Sequence, residues 1–292
     1  MIGRQLALCL LMVASGILAP KAQEVTISVA AEEVRVDVLA TEHNKPVSGL
    51  SASDFEVYDN GVRQEVQYAK LQTLTPISAT LVFDMSGSVA GERLTHLKDA
   101  ARKLLSYLGD GDYAALVAFN NAVILGSEPT RDFSRIQQAL ERFQPAGNSA
   151  LIDGSYAGLI LAESRPDPPL VIIFSDGRDT FSWLPEEAVL EIAALNEAVV
   201  YAVSADKVPP KSFLTRLTDV TVGSVLEVGS ARDLSFAFIN ILKEFRQRYI
   251  VTYTPQGVSE DGYHNLEVRV KKPSIKVRAR PGYTRASSPR FD

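Results

Sequence analysis

The chain has 292 residues, a formal net charge of −5, and 46% hydrophobic and 22% charged residues. This is the balance of a folded globular chain, with room for one large domain or a large one plus a smaller one. It argues against disorder and membrane embedding, and the negative charge argues against nucleic acid as partner, since phosphate binding needs a basic surface.

The N-terminus reads as a targeting segment. Arg4 precedes an uninterrupted small or apolar run from Leu6 to Leu18, and Ala19-Pro20-Lys21-Ala22 offers small residues for cleavage. The run suits a signal-peptide core and falls short of the roughly 20 residues that span a bilayer as a helix. The only cysteine, Cys9, lies inside it, so the mature chain 23–292 has no disulfide and must be held by its core.

Residues 23–75 read as short strands. Ile27-Ser28-Val29 and the alternating Val34-Arg35-Val36-Asp37-Val38 are β-type, Asn44-Lys45-Pro46 is a turn, and Asp59-Asn60-Gly61 is a strong hairpin signal. From Ile77 to Arg248 apolar strands alternate with helical patterns. Strands are expected at Ile77–Phe83, Ala114–Phe119, Leu170–Phe174, Val199–Val203 and Val225–Val228. Leu94, Leu97, Ala101, Leu104 and Leu108 mark a helical face, as do Phe133, Ile136, Leu140 and Phe143. Further helices are expected over Ile152–Ala162, from Leu184-Pro185-Glu186-Glu187, over Ser212–Leu217, and along Leu234, Phe238, Ile241, Leu242 and Phe245. Alternation of this kind implies a doubly wound, mainly parallel α/β sheet with helices on both faces. After Arg248 the pattern returns to strands. Lys and Arg are dense from Arg269 to Arg290 but alternate with Val268, Val270, Ile275 and Val277, as in a strand with one solvated face. Neither β flank would bury much core alone, so 23–75 and 249–285 are expected to pair into one small β-sandwich, with 76–248 inserted and 286–292 as a tail.

The chemistry concentrates at three strand ends. Asp84-Met85-Ser86-Gly87-Ser88 leaves the first apolar strand and places one carboxylate and two hydroxyls on a tight turn. Gly147-Asn148-Ser149-Ala150 opens into a helix, and Phe174-Ser175-Asp176-Gly177 closes another apolar strand. In a parallel sheet such loops gather at the carboxyl edge, where ligands bind. Oxygen donors of this kind suit a hard divalent cation.

Together these motifs resemble the metal-ion-dependent adhesion site of von Willebrand factor type A domains. With Val47-Ser48-Gly49-Leu50, Tyr249-Ile250-Val251-Thr252-Tyr253 and Arg280-Pro281-Gly282-Tyr283, the mature chain is also similar to an exported bacterial family of such proteins, abundant in Acidobacteria. The β-flanked arrangement resembles the hybrid domains of integrins. The resemblance implies a cation held by Ser86, Ser88 and Ser149, with Asp84 and Asp176 in direct or water-mediated contact. Ser149 stands where the family usually has threonine; it keeps the hydroxyl and loses a methyl. Mg²⁺ or Mn²⁺ is expected ahead of Ca²⁺, with one position left for a partner's Asp or Glu and with Arg178, Asp179 and Trp183 on the rim.

Catalysis finds little support. An aspartyl phosphatase built on Asp84 needs a second acid two residues on, where Ser86 stands. There is no G-x-S-x-G or H-E-x-x-H, and His43, His96 and His264 are expected to be solvated. Asp112 is expected to shape a turn, Asp153 to anchor the second loop, and Gly154 and Gly158 to let a helix approach the sheet. Trp183 fits a rim anchor or burial under the loop. The expected protein is a periplasmic or secreted metal-dependent binding module for an acidic protein partner and not an enzyme. The alternative is a structural component of the envelope whose metal only stabilises the fold.

Overall fold

The computed structural model describes residues 33–285. The targeting segment 1–22, the strand expected at Ile27-Ser28-Val29 and the tail 286–292 lie outside the described residues.

The strands are β1 (Val34–Glu42), β2 (Lys45–Pro46), β3 (Phe55–Asp59), β4 (Val62–Gln64), β5 (Tyr68–Leu71), β6 (Ser78–Asp84), β7 (Tyr113–Phe119), β8 (Val123–Thr130), β9 (Pro169–Phe174), β10 (Val199–Ser204), β11 (Val225–Glu227), β12 (Tyr249–Tyr253), β13 (Gly262–Val270), β14 (Lys276–Ala279) and β15 (Gly282–Arg285). The helices are α1 (Glu92–Leu105), α2 (Phe133–Arg142), α3 (Leu151–Ala162), α4 (Glu186–Leu195), α5 (Phe213–Val220) and α6 (Leu234–Arg246).

Six strands form one sheet in the order β11-β10-β9-β6-β7-β8, parallel throughout except for β8. The central strands are buried on both faces, which is why they read as continuous apolar runs rather than as alternation. One face packs on α1, α2 and α6 through Leu97, Leu104, Ile136, Phe238 and Phe245, the other on α3, α4 and α5 through Leu151, Leu159, Val189 and Leu217. This is the doubly wound arrangement. Its antiparallel edge strand β8 is an addition to the expected elements. Gly126 and Pro129 break any clear alternation there, and an edge strand tolerates both.

The strands before and after this sheet pair with one another. β1 lies antiparallel to β12 with Val36 opposite Val251, and to β14 with Ala40 opposite Val277. β3 lies antiparallel to β13 with Val57 opposite Val268. The two resulting sheets, β14-β1-β12-β5 (with β2 on β1) and β15-β13-β3-β4, share a core of Val36, Val38, Phe55, Val57, Tyr249, Val251 and Tyr253. The hairpin at Asn60-Gly61 has positive φ at both residues (47° and 79°), the geometry that a two-residue turn between twisted strands requires.

Two expectations about charged residues are corrected here. His264 is not solvated. It is fully buried on β13, with Nδ1 2.7 Å from Asp59 Oδ1 and its ring 4.8 Å from that of Tyr283. Period-two alternation places it on the inner face, and Asp59 satisfies a ring nitrogen there. The basic C-terminal stretch is likewise not all solvated: Arg278 donates to the Gly223 carbonyl and Arg280 to that of Ala198, at 3.0 Å, both in the α/β segment.

Candidate metal centre

Asp84 ends β6 and is fully buried. Its Oδ1 accepts the Ser86 N–H at 2.8 Å; its Oδ2 accepts the hydroxyls of Ser149 at 3.0 Å and Ser175 at 2.9 Å. One carboxylate thus joins the loops after β6 and β9 and the loop before α3. The Ser86 and Ser88 hydroxyls lie 3.1 Å apart, with Ser86 and Ser149 buried and Ser88 exposed. Asp176 follows Ser175 and is half-buried, and its Oδ1 accepts the Arg178 N–H at 3.0 Å. Asp84, Ser86, Ser88 and Ser149 are therefore linked by hydrogen bonds. Asp176 is brought to the cluster through its neighbour Ser175.

The backbone is set for this convergence. Gly147 has φ 75° and its carbonyl accepts the Gly87 N–H at 3.0 Å, which closes the first loop onto the second. A Cβ on Gly147 would stand 2.2 Å from the Asn121 side-chain oxygen, so this position needs glycine for space as well as for conformation. The third loop clamps the second. Thr180 and Phe181 N–H groups donate to the Ser149 carbonyl at 2.9 and 3.0 Å, and Thr180 Oγ1 accepts the Ser149 N–H at 3.0 Å.

Burial pushes the Asp84 carboxyl above its usual range, against hydrogen bonds from Ser86, Ser175 and Ser149 that pull the other way. No Lys, Arg or His hydrogen-bonds it among the described residues. A buried carboxylate served only by neutral donors is the environment a cation completes. Three His, Cys, Asp or Glu side chains do not gather anywhere among the described residues, so a cation here would be held by Asp84, with Asp176 at most, and hydroxyls. That all-oxygen set fits Mg²⁺ or Mn²⁺ and offers nothing to a soft thiolate-bound metal.

Sequence reasoning misses Ser175 and Thr180. Ser175 stands directly before the Asp176-Gly177 signal, whereas Thr180 carries none. Asp153 anchors a different loop from the one expected: its two oxygens accept the N–H groups of Trp183 and Leu184 at 3.0 and 2.9 Å, holding the third loop rather than the second. Asp179 is exposed, but its Oδ1 accepts the Ile152 N–H and the Ser182 hydroxyl and so serves loop geometry. Trp183 is 87% exposed, which leaves no room for the burial reading. Asp112 shapes its turn as expected, accepting the N–H groups of Ile77 and Gly109 at 3.0 and 2.6 Å.

A sequence profile described as the von Willebrand factor type A domain matches residues 80–178, a stretch that runs from within β6 to just past Asp176. The chain carries a von Willebrand factor type A domain. An uncharacterized protein of Synechocystis is 30% identical over 108 residues, covering 36% of this chain and 26% of its own length. Inter-alpha-trypsin inhibitor heavy chain H1 of Sus scrofa is 31% identical over 124 residues, covering 37% of this chain and 14% of its own. The chain thus spans about a quarter or less of the length of these relatives. Among solved structures, a D319A mutant of the PilB minor pilin from Streptococcus sanguinis superposes with TM-score 0.51 at 14% identity, over 61% of this chain and 63% of that one. Proximal thread matrix protein 1 from the mussel byssus superposes with TM-score 0.51 at 16% identity, over 70% and 50%. At these identities the likeness is one of fold. The type A domain carries the loops that Asp84 joins, and the β-sandwich is built from the strands on either side of it.

Proposed function

We propose that this chain is an exported binding module that uses a divalent cation, Mg²⁺ or Mn²⁺, to engage an acidic residue of a protein or peptide partner. The observation that carries the reading is the buried Asp84 carboxylate gathering Ser86, Ser149 and Ser175 from three loops at the carboxyl edge of the sheet. The hydroxyls of Ser86, Ser88 and Ser149 would hold the ion, with Asp84 and Asp176 in direct or water-mediated contact. A bound cation supplies a positive, hard acceptor for a carboxylate oxygen. The site lies at a sheet edge, which suits a macromolecule better than a small substrate that needs an enclosing pocket. Binding rather than catalysis fits the residues, since no acid follows Asp84 at the phosphatase position and no serine of these loops hydrogen-bonds a histidine among the described residues. Export rests on the Leu6–Leu18 run. No described helix is long and apolar enough to cross a membrane.

Titration calorimetry of the mature chain with Mg²⁺ is the direct test. One site of modest affinity is expected, because neutral hydroxyls supply much of the shell. It should vanish in Asp176→Ala. Equal heats from wild type and variant would sink the assignment. If chelator removes partner binding while the circular dichroism spectrum is unchanged, the cation serves recognition; if it melts the protein, the structural alternative is the better account. Cell fractionation that leaves the intact chain in the cytoplasm would defeat export.

A further inference from the structure

The third loop is tied down along its length. Asp179 and Ser182 side chains accept N–H groups at the start of α3, Ile152 at 3.2 and 3.0 Å, and Ser182 also accepts that of Asp153 at 3.2 Å. Asp153 in turn holds the N–H groups of Trp183 and Leu184, and Phe181 is bonded through its backbone to Ser149 itself. Yet the side chains this loop presents face solvent: Phe181 is 40% exposed and Trp183 is 87% exposed. Arg178, on the same loop, is exposed, and its guanidinium makes no ion pair or hydrogen bond among the described residues. The nearby acids are occupied. Asp179 and Asp153 accept backbone groups, and Glu186 and Glu187 pair with Arg216.

We infer that this loop is a preorganised docking platform for a short acidic segment of a protein. Its carboxylate goes to the metal, a second carboxylate to Arg178, and a neighbouring apolar side chain lies on Trp183 and Phe181. The inference rests on the metal reading above and names the partner's chemistry. Charge complementarity selects the acidic segment. The exposed guanidinium of Arg178, without an ion pair among the described residues, lies on the same loop cluster that would hold the divalent cation, so a segment with two carboxylates would find a positive group for each. Rigidity selects the aromatic contact. An exposed indole on a backbone already fixed by hydrogen bonds loses little freedom on binding, which is the condition for a strong anchor.

Trp183 is the only tryptophan in the chain, so its fluorescence reports the platform directly. Free protein should emit like a solvated indole. A display library of short random peptides, selected on the full chain in Mg²⁺, should return sequences with two acidic residues and an adjacent apolar one. Synthetic Trp-free versions should blue-shift the emission. Their affinity should fall about tenfold or more in Arg178→Gln and in Trp183→Ala, the latter read by peptide-label anisotropy. Phe236→Ser, which removes another exposed aromatic (70%) from α6, should change nothing. Chelator-sensitive binding that is indifferent to Arg178→Gln and Trp183→Ala overturns the platform and leaves the metal reading intact. Binding that needs Trp183 but ignores chelator and Asp176→Ala overturns the metal reading and, with it, the metal-anchored platform. Selection of no acidic peptide, or an equal loss in Phe236→Ser, overturns the platform.

Discussion

Asp84 is costly in the metal-free protein as a charge and valuable as an acceptor. Burial disfavours its ionised form, while Ser149, Ser175 and Ser86 all depend on its oxygens. Removing the acceptor therefore differs from removing the charge. Asp84→Ala should destabilise by about 1–3 kcal/mol for each buried donor left without a partner, whereas Asp84→Asn keeps an acceptor oxygen and should lose less. Both should lose Mg²⁺ binding, so chemical denaturation and calorimetry together separate scaffold from ligand roles. A second buried acceptor, Asp59, holds the β-sandwich in the same manner. It accepts from Tyr253 and Tyr283 at 2.9 Å each and pairs with His264 at 2.7 Å. Asp59→Ala should cost roughly 3–5 kcal/mol, the usual penalty for stranding a buried polar cluster. The tyrosines give this network a spectroscopic handle. Burial first, and then its hydrogen bonds with Tyr283 and Asp59, keep Tyr253 protonated well above pH 10; burial likewise moves Tyr283 up to about 12. A phenol whose pKa is raised by folding contributes stability that is present below pH 10 and lost as pH climbs through the folded value. In a phenolate absorbance titration Tyr253 and Tyr283 should lag the exposed tyrosines, and Asp59→Ala should bring both back toward 10. A single transition near pH 10 for all ten tyrosines in wild type would contradict the buried network.

At the scale of elements, α3 shows how sequence and packing divide the work. It lies against β6 and β7 at a distance set by glycine: a Cβ at Gly158 would stand 2.4 Å from Val82 Cγ2, and one at Gly154 2.5 Å from Phe119 Cδ1. Helix propensity alone makes Gly158→Ala stabilising by close to 1 kcal/mol, whereas overpacking costs about 1–3 kcal/mol. The clash should win, so Gly158→Ala should lower the unfolding midpoint; a raised midpoint would mean the helix shifts freely on the sheet. Both glycines are legible in the sequence as small residues on an apolar helix that must approach a sheet. The meeting of Asp84, Ser86, Ser88 and Ser149 is legible too, because loops at one edge of a parallel sheet are brought together by topology. What stays hidden depends on pairings distant in sequence. Nothing local in Val123–Thr130 announces β8, since its partner β7 supplies the ladder and its Gly126 and Pro129 read as loop. Thr180 gains its role only by meeting Ser149, and the partner that satisfies His264 on the inner face, Asp59 at 2.7 Å, is distant in sequence.

The molecule as a whole keeps its hydrophobic cores separate. Among the described residues, the two cores flanking the six-stranded sheet draw on residues from Ile77 to Phe245, and the third draws on residues up to Leu71 or after Arg248. Polar contacts run between them. Arg248 is fully buried, donates to Asp37 of β1 and, at 3.2 Å, to the Val222 carbonyl, while Arg278 and Arg280 reach the carbonyls of Gly223 and Ala198. This division makes a directional prediction about truncation. A chain from Pro76 to Gln247 retains both sheet-flanking cores and the half-buried Asp112–Arg246 pair, and ends before Arg248 loses its carboxylate. It should be soluble, unfold in one cooperative transition and keep the Mg²⁺ heat of the full chain. The β flanks present a different case. Apart from the short strands β2 and β4, β1 and β3 find their described partners in β12, β13 and β14, so residues 33–75 alone should not fold, and joining them to 249–285 should restore cooperative strand structure. Within the full chain, Asp37→Ala strands a fully buried guanidinium and should cost roughly 3–5 kcal/mol, by uncoupling the sandwich from the type A domain rather than by disturbing either core. Calorimetry should then resolve two transitions where wild type shows one, with the Mg²⁺-dependent shift confined to one of them. A single transition merely lowered in temperature would mean that the arginine contacts contribute stability without setting the cooperativity of the whole.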